Sequence, residues 1–139
     1  MSLVIDSSIT LAWFFEDERS EAADAVLMQV TELGAVAPAL WRLEVANALQ
    51  IAIRRKRINA AFRDASLADL RALKVAIDLE TDRQAWTTTL ELAERWRLTL
   101  YDAAYLELAQ RVGLPLATLD QELRSAATAL AVPLRGFAS

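Results

Sequence analysis

The 139-residue sequence predicts an α/β fold, a parallel sheet covered by helices on both faces. Three observations point there. Short apolar runs recur between stretches of helical periodicity. Those runs are continuous rather than alternating, as in strands buried on both faces. The composition, 55% hydrophobic with three Gly and three Pro, suits a compact buried core.

Leu3-Val4-Ile5 reads as a first strand that ends at Asp6 and runs through Ser7-Ser8 into a helix over Ile9 to Phe15. From Ser20 to Leu33, Ala23, Val26, Leu27 and Val30 fall at helical spacing, and Gly34 stops the helix. Ala35-Val36-Ala37, before Pro38, is a second strand. Trp41 to Ile53 is helical, with Leu43, Ala46, Leu49 and Ile53 on one side, and Asn59 caps a further helix through Leu73. Val75-Ala76-Ile77 is a third strand ending at Asp78. A helix starting at Thr81 or Asp82 extends to about Arg97, and another opens at Asp102 and closes at Gly113. Leu114 to Ala117 is a fourth strand, after which Thr118 and Gln121 form a capping-box pattern. Ala131-Val132-Pro133-Leu134 is a last, edge strand, where a proline is tolerated. No repeat, linker or low-complexity tract interrupts the order, so a single domain over residues 1–139 is expected.

Composition then narrows the chemistry. The chain has no Cys and no His, which removes thiol nucleophiles, disulfides, imidazole bases and the usual zinc and haem ligand sets. What remains is carboxylates, hydroxyls, Lys, Tyr, or a hard cation held by oxygen. A net charge of −4 argues against coating nucleic acid through bulk positive charge. Gly34, Gly113 and Gly136 cannot build a phosphate-cradling loop. The start, Met1-Ser2-Leu3-Val4-Ile5-Asp6, lacks a basic segment before an apolar core, and no charge-free stretch reaches the roughly 18 residues of a membrane span. A soluble cytoplasmic protein without membrane association is the expectation.

In such a sheet, ligands bind at the carboxyl ends of the strands. Asp6 follows the first strand and Asp120 lies just past the fourth, so both should project at the same edge. Asp102 stands at a helix start after Tyr101, and Glu44 lies on the helix after the second strand, one turn from Asn47. Convergent carboxylates repel, and a divalent cation removes the conflict. Magnesium and manganese take oxygen ligands and accept phosphate oxygens as further ligands, which suits hydrolysis of a phosphodiester. Each acid also fits a structural role near a helix start: Asp102 as the cap, Asp6 and Asp120 in the first turn. Glu44, among Trp41, Leu43, Val45 and Ala46, is less simply explained.

Four stretches in order carry a resemblance: Val4-Ile5-Asp6-Ser7-Ser8, Pro38 to Leu49 (PALWRLEVANAL), Tyr101 to Ala109 (YDAAYLELA), and Leu116-Ala117-Thr118-Leu119-Asp120. With these the chain resembles PIN-domain proteins, and specifically the VapC toxins of type II toxin–antitoxin systems, over nearly its whole length. The resemblance implies a PIN-like three-layer fold, a five-stranded parallel sheet flanked by helices. It implies a metal-dependent endoribonuclease with Asp6, Glu44, Asp102 and Asp120 around Mg2+ or Mn2+. Asp6 and Asp102 are then the direct ligands, Asp120 a ligand of a second or water-bridged ion, and Glu44 a ligand or base. Thr118, Ser7 and Asn47 match supporting polar positions. It further implies an RNA substrate, 5′-phosphate and 3′-hydroxyl products, a homodimer, and inhibition by a small cognate antitoxin.

Two rival readings remain open: a PIN-like module that binds RNA or protein without cutting, and a phosphatase or receiver-type phosphate-transfer domain. The latter also places Asp after a parallel strand, but Asp6-Ser7-Ser8 lacks the second Asp of the phosphatase, and no well-placed Lys follows the last strands. Arg54-Arg55-Lys56-Arg57 is the one dense basic run; a solvated helix end explains it first, an RNA contact second. Trp13, Phe14 and Phe15 read as core, with an aromatic partner surface as the alternative. Asp78, Glu80 and Asp82 are assigned to turn capping, outside the site.

Overall fold

A computed structural model describes residues 2–137. Five parallel strands, β1 (Val4–Ile5), β2 (Ala35–Pro38), β3 (Val75–Asp78), β4 (Leu116–Ala117) and β5 (Leu134–Arg135), lie in the order β3-β2-β1-β4-β5. β1 pairs with β2 through Val4 and Val36, and with β4 through Val4–Leu116 and Ile5–Ala117. The chain builds outward from β1 to β3, then returns to lay β4 on the other side of β1. The direction of winding therefore reverses between β1 and β4. In open parallel sheets that point leaves a crevice beyond the carboxyl ends of the strands.

The helices are α1 (Ser7–Ala12), α2 (Glu21–Leu33), α3 (Trp41–Arg54), α4 (Ala60–Ala72), α5 (Thr81–Gln84), α6 (Thr88–Trp96), α7 (Leu100–Val112) and α8 (Gln121–Ala129). Ser20 caps α2 by accepting from Ala23 N–H, and Asn59 caps α4 from Phe62 N–H, each as its side-chain chemistry predicts. Gly34 and Gly113 end α2 and α7 at φ 76° and 69°, a region that favours glycine. At Gly34 a Cβ would also stand 2.9 Å from the Lys74 carbonyl oxygen. Trp13 and Phe15 are buried in the core and Phe14 packs against it; Trp13 Nε1 donates to the Ala23 carbonyl at 2.9 Å. α7 is the central helix: every residue from Ala103 to Ala109 is buried, and it packs on β1, β2 and β4.

Several boundaries differ from the sequence expectation: the first helix ends at Ala12 rather than Phe15, and the fourth strand starts at Leu116 rather than Leu114. The helix expected over Thr81 to Arg97 is two, α5 and α6, broken around Trp86, which is 88% exposed; α5 buries none of its residues, so its apolar spacing has no core to face. Asp102 does not open α7. Thr99 does, accepting from Asp102 N–H at 3.1 Å, and Asp102 falls in the first turn. Thr118 does not cap α8; Asp120 does, accepting from Leu123 N–H at 2.8 Å. The last strand is Leu134–Arg135 rather than Ala131 to Leu134, because Ala131 turns the chain at φ 58°.

Candidate active site

Asp6 is the N-cap of α1 and is 3% exposed. Its Oδ1 accepts from Ile9 N–H at 2.9 Å and from the Ser8 hydroxyl at 2.7 Å, and its Oδ2 accepts from the Thr118 hydroxyl. Thr118 accepts in turn from Asp120 N–H at 3.0 Å, and Ser8 from Leu119 N–H at 2.9 Å. The ends of β1 and β4 are thus stitched together across the reversal point by two hydroxyls. Burial pushes the Asp6 carboxyl up to about 6 despite the Thr118, Ile9 and Ser8 hydrogen bonds, with the Asp102 charge adding to the rise.

Asp102, half-buried in the first turn of α7, is also raised, by burial first, then by the charges of Asp120 and Glu44, and to a smaller degree Glu122. Glu44 stands in the first turn of α3, which follows β2, and its Oε1 accepts from the Tyr105 hydroxyl at 2.5 Å. Asp120 spends Oδ1 on its cap. All four sequence-predicted acids therefore lie at helix starts beyond the sheet's carboxyl edge, and their charges act on one another. None of them takes part in an ion pair among the described residues. Nor do three of them stand close enough, among those residues, to form a closed ligand cage. A magnesium-like ion does not require one, since it keeps several waters and uses one or two carboxylates. The donor set, all oxygen and without a counter-charge, fits such a cation.

The supporting residues divide. Thr118 holds Asp6, as expected, but its neighbour in that task is Ser8 rather than Ser7. Ser7 is half-buried beside the Tyr105 phenol. Asn47 is exposed, with no side-chain hydrogen bond among the described residues. Arg54, Arg55, Lys56 and Arg57 are all exposed at the end of α3. Arg57 is engaged: it reaches Asp17 at 3.1 Å and Glu18 at 3.6 Å and lies 4.6 Å from the Phe15 ring centroid. Asp78 has a partner stronger than a turn cap. Arg111 grips it at 3.2 and 2.6 Å and grips buried Glu107 at 2.8 and 3.0 Å. Partial burial raises the Asp78 carboxyl, but the Arg111 contacts outweigh it and hold it below its ordinary value. Residue reasoning left out Tyr105, although a phenol inside the run Ala103-Ala104-Tyr105-Leu106, one turn from an acid, needs a polar partner.

A PIN domain family model matches residues 3–129. The chain belongs to the PIN domain family, among proteins of the VapC ribonuclease type. This PIN domain is 33% identical over 133 residues to Ribonuclease VapC3 of Pyrobaculum aerophilum, covering 96% of this chain and 100% of that one. It is 34% identical over 109 residues to Ribonuclease VapC3 of Mycobacterium tuberculosis, 77% of this chain and 75% of that one. It is similar in structure to PAE2754 from Pyrobaculum aerophilum, with a TM-score of 0.67 and 28% identity over 91% of this chain and 86% of that one. VapC20 of Mycobacterium tuberculosis, a toxin described as cleaving the sarcin-ricin loop, matches with a TM-score of 0.63 over 90% of this chain and 95% of that one. At 16% identity that likeness shows the fold alone. The five-stranded parallel sheet flanked by helices is the architecture the resemblance implied.

Proposed function

We propose that this chain is a metal-dependent endoribonuclease, the toxin of a toxin–antitoxin pair, and that Asp6, Glu44, Asp102 and Asp120 form its active site. One observation carries the reading: four acids stand at helix starts beyond the sheet's carboxyl edge, two of them raised by burial and by like charge, with no basic side chain paired to any among the described residues. Buried like charges without a partner are costly as structure and useful as a cation site. The likeness to a VapC ribonuclease over 96% of the chain supports RNA as the substrate.

Bound Mg2+ or Mn2+ would supply Lewis acidity toward the scissile phosphate and a more acidic attacking water. The chain supplies position. Thr118, Ser8 and the Ile9 amide fix the Asp6 carboxylate, and Thr99 fixes the backbone that carries Asp102. Asp6 and Asp102 are the direct ligands, with Asp120 and Glu44 completing the shell or orienting the water. Cleavage leaves a 5′-phosphate and a 3′-hydroxyl. The exposed Arg54, Arg55 and Lys56 offer phosphate contacts outside the cleft. A homodimer held in check by a small antitoxin protein, acting inside the cell, completes it; no helix among the described residues is long and apolar enough to cross a membrane.

The test is RNA cleavage by the purified chain with Mg2+ or Mn2+, with chelator, and with Asp6→Asn. Since even residues behind the ligands cost 10–100-fold, losing this one should cost about 100-fold or more. Undiminished cleavage by Asp6→Asn, or cleavage in chelator, overturns the reading.

A further inference from the structure

The site described above contains one buried donor that no acid role accounts for, the hydroxyl of Tyr105. Its ring is 1% exposed, inside the central helix α7, and its oxygen lies 2.5 Å from Glu44 Oε1. Tyr105 is one turn beyond Asp102 on the same helix, while Glu44 belongs to α3 on a different strand connection. We propose that Tyr105 is a positioning residue for the cation site, holding the Glu44 carboxylate in register with Asp102 by a buried phenol hydrogen bond. The inference rests on the reading of the acids as a cation site.

Three features argue for it. First, Glu44 is only half-buried and stands on a helix rim, where a glutamate loses considerable rotamer freedom if it is to be fixed. Tyr105 is the only hydrogen-bond partner the Glu44 side chain has among the described residues. Secondly, the phenol is an uncharged donor, buried in the central helix with its oxygen 2.5 Å from Glu44 Oε1. It gives Glu44 a proton to share without cancelling its charge. Thirdly, Glu44 and Asp102 repel one another. Without a tether, Glu44 would swing toward solvent, and the two carboxylates would have to be brought together afresh each time a cation bound. A neutral donor on the Asp102 helix holds them near without competing for the ion, which a Lys or Arg would do.

Mn2+ binding to the intact chain, followed by the loss of the free-ion electron paramagnetic resonance signal, measures this apart from activity. Tyr105→Phe keeps the buried ring and should weaken Mn2+ binding about tenfold, within the range for residues behind a ligand. In a Glu44→Ala chain the same change should cost less than about twofold, because the residue through which Tyr105 acts is gone. Wild-type affinity in Tyr105→Phe, or an equal loss in both backgrounds, overturns the inference. The wild-type chain provides a second measurement that does not depend on the variant folding. The Tyr105 hydroxyl proton should give a protected NMR resonance that moves on Mg2+ addition, and a resonance indifferent to Mg2+ overturns the inference as well. A wild-type chain that binds no Mn2+, or Asp6→Asn that binds it undiminished, overturns the cation site itself.

Discussion

The two ends of α7 hold acids in opposite ways. At its C-terminal end, Glu107 and Asp78 are both gripped by Arg111 through paired hydrogen bonds, so each carboxylate has a fixed cation within 3.2 Å. At its N-terminal end, Asp102 feels the charges of Asp120 and Glu44, and Asp6 that of Asp102, and none of the four has an ion-pair partner among the described residues. Both clusters tie α7 to the sheet region, and both include a nearly inaccessible acid, Glu107 at 4% and Asp6 at 3% exposure. The difference is the counter-charge. Where the chain supplies its own, the cluster is architecture. Where it withholds one, the cluster is poised to take up a charge from outside.

Removing the cation from the closed cluster should produce the largest change. Arg111→Met strands Glu107 in the core and should lower the unfolding free energy by about 3 kcal/mol in urea, while leaving Mn2+ affinity within twofold. A small stability loss there would mean the two ends are not as different as their pairing implies.

The pH dependence separates them next. Asp6 has its folded-state ionisation raised from 3.8 to about 6, so the folded chain holds its proton longer than the unfolded one. Its stabilising contribution is complete below pH 4 and lost as pH rises toward 6, a fall on the order of 2 kcal/mol. Asp78, held low by Arg111, works in the other direction, contributing above its unfolded value and losing its contribution as pH falls. Without metal, Asp6→Asn should therefore gain stability relative to the wild-type chain between pH 4 and 6, as read from urea midpoints across that range. A parallel pH profile for the two chains would remove Asp6 as an unpaired acid.

The smallest effect sharpens the comparison most. Asp102→Asn should stabilise the metal-free protein by about 0.5 kcal/mol, a modest figure because the group is half-exposed and screened. In saturating Mn2+ the sign should reverse. An acid whose removal stabilises the empty protein and destabilises the loaded one is held there for the ion.

Much of this was legible in the order of residues. The apolar runs at Leu3, Ala35, Val75 and Leu114 all contain strands, and Gly34 and Gly113 ended the helices they were expected to end. The two misplaced caps share one cause, competition between residues that can each do the same task. Thr99 and Asp102 are both good cap formers three positions apart, as are Thr118 and Asp120 two apart, and only the register of the preceding backbone decides between them. α6 ends near Arg97 as expected, in a left-handed conformation at φ 55° although no glycine stands there. Within the site, the acids were visible because their flanking sequences are distinctive. The Ser8 and Tyr105 contacts were not, since both depend on which way a side chain turns across elements far apart in sequence, Tyr105 and Glu44 being 61 positions apart.

The double use of Asp6 has a consequence for how such a protein fails. Its carboxylate caps α1 and, on the reading above, also binds the ion, yet asparagine caps a helix about as well as aspartate. The change that should silence the chemistry most thoroughly is thus among the mildest for the fold. A single base transition in an Asp codon produces it. A cell burdened by this activity has a one-step escape that yields an intact, well-folded and inert copy instead of an aggregating one. Such a copy would still present every surface that does not involve the cleft to the protein's binding partners.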